Sequence, residues 1–410
     1  MRSIWIILVL LSQIAIGNIS NYEIKSLSIK DGLSQGTVYS LYQDSTGFLW
    51  FGTQDGGLNK WDGYSFTVYE HVPFCENCIS GNDVSSIVEF SKNKFFIGTW
   101  GGGLNIFDAT TNKFSVINGE IEKTQHFAEN YIQVLILDKQ KNLWIGTESQ
   151  GLYKFIYPYE EFIQFKKSDE NSIIDNRIWS LCEDEKGNIW IGTGNGLSYL
   201  DVATNKFENY PYDPNNQKAL NDTIVRSLFV DSKHNLWVGT GAGLSMFVES
   251  EKRFQHFFIH EKTPDLNAIN DIIEDEKGNL WIGTFKSGLA YFNTNSKSFT
   301  LYQHDPNYAN SISHNDVRQL LIDNANNLWI ATRGGGINII DLKPEKFPHY
   351  KKSNTGTNTL SNNRVTGIVE LNKGEVLLST SGGGINIFNL EDRSFSYIMA
   401  EQGSNSISSN

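Results

Sequence analysis

An internal repeat limits this chain to a small set of architectures. Versions of Asn-Leu-Trp-Ile-Gly-Thr recur eight times, each followed a few residues later by a Gly-Leu or Gly-Ile step. The anchoring aromatic or aliphatic residue falls at Trp50, Phe96, Trp144, Trp190, Trp237, Trp281, Trp329 and Leu377, so the successive spacings are 46, 48, 46, 47, 44, 48 and 48 residues. A unit of this length and regularity cannot hide its own apolar face. It must pack on its neighbours, in a row or around an axis.

The third repeat shows the contents. Ile132–Leu137 is β-branched and apolar, Asp138–Asn142 is a polar turn, Leu143–Thr147 is a second apolar run, and Gly151–Phe155 and Phe162–Phe165 complete the set. Four short strands separated by turn signals, with no 3.6-residue period, predict a four-stranded antiparallel sheet. A succession of such sheets predicts an all-β fold, a β-propeller. Gly52, Gly98, Gly146, Gly192, Gly239 and Gly283 lie inside the second strand, where glycine weakens pairing. Close approach of a neighbouring blade is the expected reason, with the large aromatic of the motif as the expected neighbour. Ala331 and Ser379 occupy the same place in the last two repeats, so smallness is the requirement. The glycine clusters before the third strand (Gly56–Gly57, Gly101–Gly103, Gly334–Gly336) are expected in turns with φ > 0. The tryptophans are read as packing between blades.

The fourth-strand signature, Phe-x-x-aromatic or Phe-x-x-Ile, ends each repeat and is followed by an Asn/Ser-rich loop. Residues 21–36 have that order with no three strands before them. They are expected to supply an orphan outer strand that joins first and last blades and removes an open sheet edge. On this reading residues 1–17 are a signal peptide, 18–341 a seven-bladed propeller, and 342–410 the start of a second, truncated propeller. One eight-bladed ring is the alternative. Residues 402–410 match the loop that opens every repeat, so the sequence reads as a fragment.

Residues 1–17 carry one positive charge, a short apolar run and a small-x-small site, the pattern of an export signal, which predicts a periplasmic protein. The net charge of −12 argues against a nucleic-acid partner, because no basic stripe exists to neutralise phosphates. Cys75 and Cys78, three apart in the loop between the first two blades, are placed to close a small disulfide in an oxidising compartment, whereas Cys182 is expected in the core.

No catalytic set stands out, and no cofactor or metal is expected. The eight histidines lack metal-ligand spacing, and His256 and His260, four apart, straddle a strand-to-loop transition. Carboxylates at Asp44, Asp138, Asp184, Asp231, Asp275 and Asp323 recur in the turn between first and second strands and are read as hairpin caps. The turn Asp44-Ser-Thr-Gly47-Phe-Leu-Trp50 resembles the Asp-box of sialidases, but the other residues of such an enzyme are not evident. More informative is what varies. The second residue of the first strand and the residue after the Thr of the second strand open on one face, and both carry irregular side chains. Among them Tyr39, Trp100, Trp179, Arg226, Arg318 and Arg333 are the candidate ligand-binding residues, able to stack on sugar rings and to donate paired bonds to hydroxyls or carboxylates. The bland reading is inter-blade polar packing.

Residues 48–62 and 327–341, with Asp31–Val38 and Asp62–Phe66, closely resemble two-component regulator propeller repeats, and the resemblance extends over roughly residues 20–410. It implies the periplasmic sensor of a hybrid two-component system of the kind found in Bacteroidetes, where two seven-bladed propellers and a β-sandwich precede a membrane helix, kinase, receiver and DNA-binding domain. It further implies an oligosaccharide ligand, control of polysaccharide-utilisation genes, membrane attachment only through parts beyond these residues, and leaves a homodimer of the full-length protein open. No kinase motif lies in these residues, so no catalytic output is expected from them. A propeller lyase or glycosidase, or a protein-interaction scaffold, are the alternatives.

Overall fold

The computed structural model describes residues 22–117, 131–156, 161–168, 170–260, 263, 266–308, 310–343, 350–352, 358–372, 374–400, 407 and 409–410, together with the backbone of a two-residue strand, Ala15–Ile16, which runs parallel to Thr300–Leu301. The remainder of the expected signal peptide, residues 344–349 and most of the tail lie outside the described residues.

The regular elements are strands, apart from two 3-10 turns at Ile29–Asp31 and Glu249–Glu251. Seven inner strands, Val38–Gln43, Val84–Ser91, Ile132–Leu137, Ile178–Glu183, Val225–Val230, Ile269–Glu274 and Val317–Ile322, each begin a blade of four antiparallel strands, the sixth extended to five by the parallel Ala15–Ile16. Consecutive inner strands are neighbours in space, and the seventh returns to the first. Ile24–Leu27 supplies the seventh sheet's outer strand, running antiparallel to Ile337–Asp341 with Ile24 opposite Ile340 and Leu27 opposite Ile337. The ring is therefore a closed seven-bladed β-propeller, and one eight-bladed ring is ruled out. The eighth sheet, Val365–Asn372, Glu375–Thr380, Ile385–Asn389 and Phe395–Ile398, lies in a second compact unit, Lys343–Asn410, apart from unit Met1–Leu342.

Each blade interface has its own apolar cluster. Trp50 packs on Ile87, Phe95 and Phe107 of blade two, Trp144 on Ile178 and Leu181 of blade four, and Trp281 on Val317 and Leu320 of blade seven. Trp329 and Ala331 meet Leu33, Val38, Leu41 and Phe51 across the closing seam. Full burial of side chains this large makes the interfaces the main source of stability.

The second-strand glycines do face a neighbouring blade, but its aromatic is not what excludes a side chain there. A Cβ at Gly98 would lie 2.5 Å from Ile132 Cγ2, at Gly239 2.6 Å from Ile269 Cγ2, and at Gly283 2.8 Å from Val317 Cγ1. At these three positions the intruder is the β-branched residue that opens the next inner strand, whereas at Gly52 and Gly192 the blade's own Ser40 and Ser180 hydroxyls come nearer still. Of the glycine clusters, Gly57, Gly101, Gly103, Gly334 and Gly336 have positive φ, whereas Gly56, Gly102 and Gly335 do not; a Cβ there would strike a neighbouring serine hydroxyl. Gly336, at φ +73°, also sits against the Leu27 carbonyl of the closing strand, so a side chain there would obstruct closure itself.

The turn carboxylates cap their hairpins as expected and also hold the tryptophans. Asp231 accepts from the backbone N–H groups of Lys233 and Asn235 at 2.9 and 2.8 Å and from Trp237 Nε1 at 2.8 Å. Asp44, Asp138 and Asp323 accept from Trp50, Trp144 and Trp329 in the same way, at 2.8, 3.0 and 2.8 Å. In blades four and six the residue opposite the tryptophan on the third strand is a tyrosine, Tyr199 or Tyr291, and it takes the carboxylate instead. Cys75 and Cys78 form a disulfide with Cα atoms 5.5 Å apart. Cys182 is partly buried beside the cluster between blades four and five, and burial raises its thiol pKa.

Candidate functional site: the axial face

Each inner strand contains a β-bulge at its second residue. In blade one, Val38 pairs with Thr53 and Ser40 with Gly52, which leaves Tyr39 unpaired between them. The same shift leaves out Ser85, Gln133, Trp179, Arg226, Asn270 and Arg318. A bulge re-aims one side chain without disturbing the strand that carries it. Thus four of the six candidate residues are the extra residue of a bulge.

The other two, Trp100 and Arg333, follow the second-strand threonine. Their backbone N–H groups donate to the carbonyls of Asp83 and Asp316 at 2.9 and 3.0 Å, two residues ahead of the bulge. Blades one, three, four and six repeat this bond with the pairs Gln54–Thr37, Glu148–Tyr131, Gly194–Arg177 and Phe285–Ala268. Three positions per blade are therefore brought to one end of the ring: the residue before the inner strand, the bulge, and the residue after the threonine.

The structure gathers the candidates into a series of contacts. Tyr39 and Trp100 stack across blades one and two, with ring centroids 5.2 Å apart. The Arg226 guanidinium lies 5.6 Å from the Trp179 ring and 5.9 Å from Phe285. Arg318 also lies 5.7 Å from the Phe285 ring, and donates through Nη2 to Asp316 at 2.8 Å. Arg333 shares the same carboxylate at 3.9 Å.

Three participants escape the sequence reading because they sit ahead of the strand among ordinary loop residues. Arg177 covers Trp179 at 4.4 Å and pairs with Glu148 at 2.7 Å; Asp316 anchors two arginines; and Asp83 faces blade one. Their signal was positional: all three stand one residue ahead of an inner strand's first residue.

The electrostatics are uneven. Burial pushes the Asp316 carboxyl up, and the Arg318 charge beside it opposes the shift. Arg226 is lowered, by burial first and then by the Arg318 charge. Burial also raises Tyr39 and, with help from Asp55, Asp83. Beside Arg333 opens a cleft of about 420 Å³ lined by Phe285, Lys286, His314, Asn315 and Asp316. One residue deeper along blade six, the Asp271 carboxylate accepts from Leu320 N–H at 2.8 Å, and burial lifts its pKa to about 7. The whole arrangement offers aromatic faces and guanidinium donors, groups chemically able to stack on rings and to bond hydroxyl or acidic substituents.

Residues 32–55, 126–149 and 172–195 match the two-component regulator propeller model, and residues 185–329 match the SMP-30/gluconolactonase/LRE-like region. Over 294 residues the chain is 31% identical to histidine kinase P4 of Formosa agariphila, an alignment covering 70% of this chain and 21% of that protein. Among solved structures, the extracellular domain of a hybrid two-component system from B. thetaiotaomicron superposes with a TM-score of 0.76 at 29% identity, covering 94% of this chain and 50% of that one. Virginiamycin B lyase from Staphylococcus aureus shares the fold alone, with a TM-score of 0.58 at 10% identity over 78% of this chain and 100% of the lyase. The chain thus spans half of the solved extracellular domain and about a fifth of the kinase.

Proposed function

Because the chain belongs to the two-component regulator propeller repeat family, we propose that its ring is the extracytoplasmic sensor of a two-component signalling protein, exported to the periplasm by residues 1–17, and that it binds glycan-derived oligosaccharides on the axial face to regulate polysaccharide-utilisation genes. The observation that carries the binding reading is the row of bulges. Each of the seven blades spends one unpaired residue on the same face, and those residues include Tyr39, Trp179, Arg226 and Arg318. A scaffold that needed only to close its ring would have no use for aromatic and guanidinium groups at such positions. Trp100 and Arg333 complete the proposed site from the neighbouring turns.

Residues 342–410 are proposed to open a second propeller. Ile368 stands 71% exposed on its inner strand, whereas Ile272, at the same place in blade six, is 3% exposed and packs in the cluster shared with Trp237 of blade five. That exposed stripe has the character of a blade face made for another blade. Signal output, membrane attachment and any dimer are proposed to belong to the full-length protein.

The test is a thermal-shift screen of the chain against a broad panel of plant and algal oligosaccharides. A hit should raise the melting temperature, and Trp100→Ala or Arg333→Ala should weaken binding at least tenfold with the unliganded melting temperature unchanged. No shift across the panel would sink the sensing proposal.

A further inference from the structure

Arg226 lacks a counter-ion among the described residues. Among the described residues no carboxylate approaches within ion-pair distance of it, and its buried Nε has no hydrogen-bond partner. Asp222, which also acts on it electrostatically, is committed to its own loop and accepts from Ile224 N–H at 3.1 Å. Arg318 leaves its own buried Nε unpartnered, and it shares the single Asp316 carboxylate with Arg333. Blades five to seven therefore carry three guanidinium groups, of which Arg318 and Arg333 share the Asp316 carboxylate and Arg226 makes no ion pair among the described residues, and Lys286 adds a fourth cation at the edge of the cleft. This local excess occurs on a protein of net charge −12. A half-buried charge is costly unless something pairs it, and a guanidinium held between aromatic faces is fixed in the plane that suits two parallel bonds to an acidic group.

We infer that the sector formed by Arg226, Arg318 and Phe285 takes an anionic substituent, a carboxylate or a sulfate, on the sugar ring that the axial face recognises. This rests on the sensing proposal and sharpens it. Phe285 and Trp179 supply the flat faces for the sugar ring, while Arg226 and Arg318 supply the unspent donors. The two acidic groups share the same planar or tetrahedral oxygen chemistry toward a guanidinium, so the experiment has to separate them.

Two matched pairs do so by isothermal titration: tetragalacturonate against its carboxyl-reduced form, and a sulfated carrageenan tetrasaccharide against its desulfated form. The charged member of at least one pair should bind ten times more tightly than its neutral partner or better. That preference should shrink as NaCl rises from about 50 to 500 mM, since screening shortens the reach of the charge. Arg226→Gln should abolish the preference, and Arg226→Lys should restore part of it; circular dichroism melting of each variant checks that the ring is intact. Equal binding of charged and neutral members would overturn the anionic assignment and leave the sensing proposal standing. Absence of binding by all four oligosaccharides would overturn the assignment, and if the broad panel also fails, the sensing proposal falls with it.

Discussion

At the scale of single residues, carboxylate placement decides which aromatic is held. Asp231 carries the Trp237 Nε1–H bond and two turn N–H groups at once, and although burial opposes its ionisation these bonds keep its pKa below the ordinary value. Asp231→Ala strands a buried indole donor, a loss of about 2–3 kcal/mol, which urea unfolding should detect. Gly239→Ala forces a methyl against Ile269 Cγ2, 2.6 Å away, and should cost about 1–3 kcal/mol. Pairing it with Ile269→Ala should recover part of the loss, measured as a non-additive double-mutant cycle. Asp271 behaves in the opposite sense to Asp231. Its folded pKa of about 7 lies above the value of an unfolded carboxyl, so the native state holds the extra proton between about pH 4 and pH 7. Its contribution is complete below that window and is lost as pH rises through 7, with a slope of at most about 1.4 kcal/mol per pH unit. Asp271→Asn should flatten that slope and gain on the parent protein as pH goes from 5 to 8, read from melting temperatures.

At the scale of strands, the closing segment has the clearest consequence. Ile24–Leu27 covers the edge of Ile337–Asp341, while Tyr22, Ile24 and Leu27 pack on the seventh blade's clusters. Removing residues 1–27 should lower the melting temperature and expose an unpaired edge that aggregates on warming, visible by light scattering. Strands of this kind were open to reading from the chain. Residues 132–166 announced four strands through β-branched runs and polar turns, and the orphan segment announced closure because it had an outer-strand order with nothing before it. The bulge was not open to reading. A run such as Val317–Ile322 looks continuous, and only pairing with Asn327–Thr332 shows that Arg318 is left out. The partner of the second-strand glycine is hidden for a related reason: Ile132 and Trp144 of the next blade are both large and apolar in sequence, and only the packing tells which one reaches Gly98. Arg177 and Asp316 were passed over because a charged residue in an Asn/Ser-rich loop carries no label of its own.

At the scale of the whole molecule, the two compact units should differ in self-sufficiency. The ring has seven interfaces, each with a buried cluster, whereas the eighth sheet leaves Ile368 and Val369 largely exposed. Residues 343–410 expressed alone should fail to give a cooperative melt, because a single small sheet buries too little surface. Residues 18–342 should melt in one transition by calorimetry. An independent, sharp transition for the smaller piece would overturn the view that it needs a neighbouring blade.

The unpaired residue in every inner strand separates two tasks that most folds entangle. Swapping one of those seven letters leaves the strand-to-strand pairing intact, since each falls between paired residues, although Ser85 and Asn270 also tie the ring together through side-chain bonds to the Ile132 and Val317 carbonyls. A lineage can therefore retune what such a wheel recognises one spoke at a time, without passing through unfolded ancestors, and an engineer can randomise the other five codons as a ready-made library.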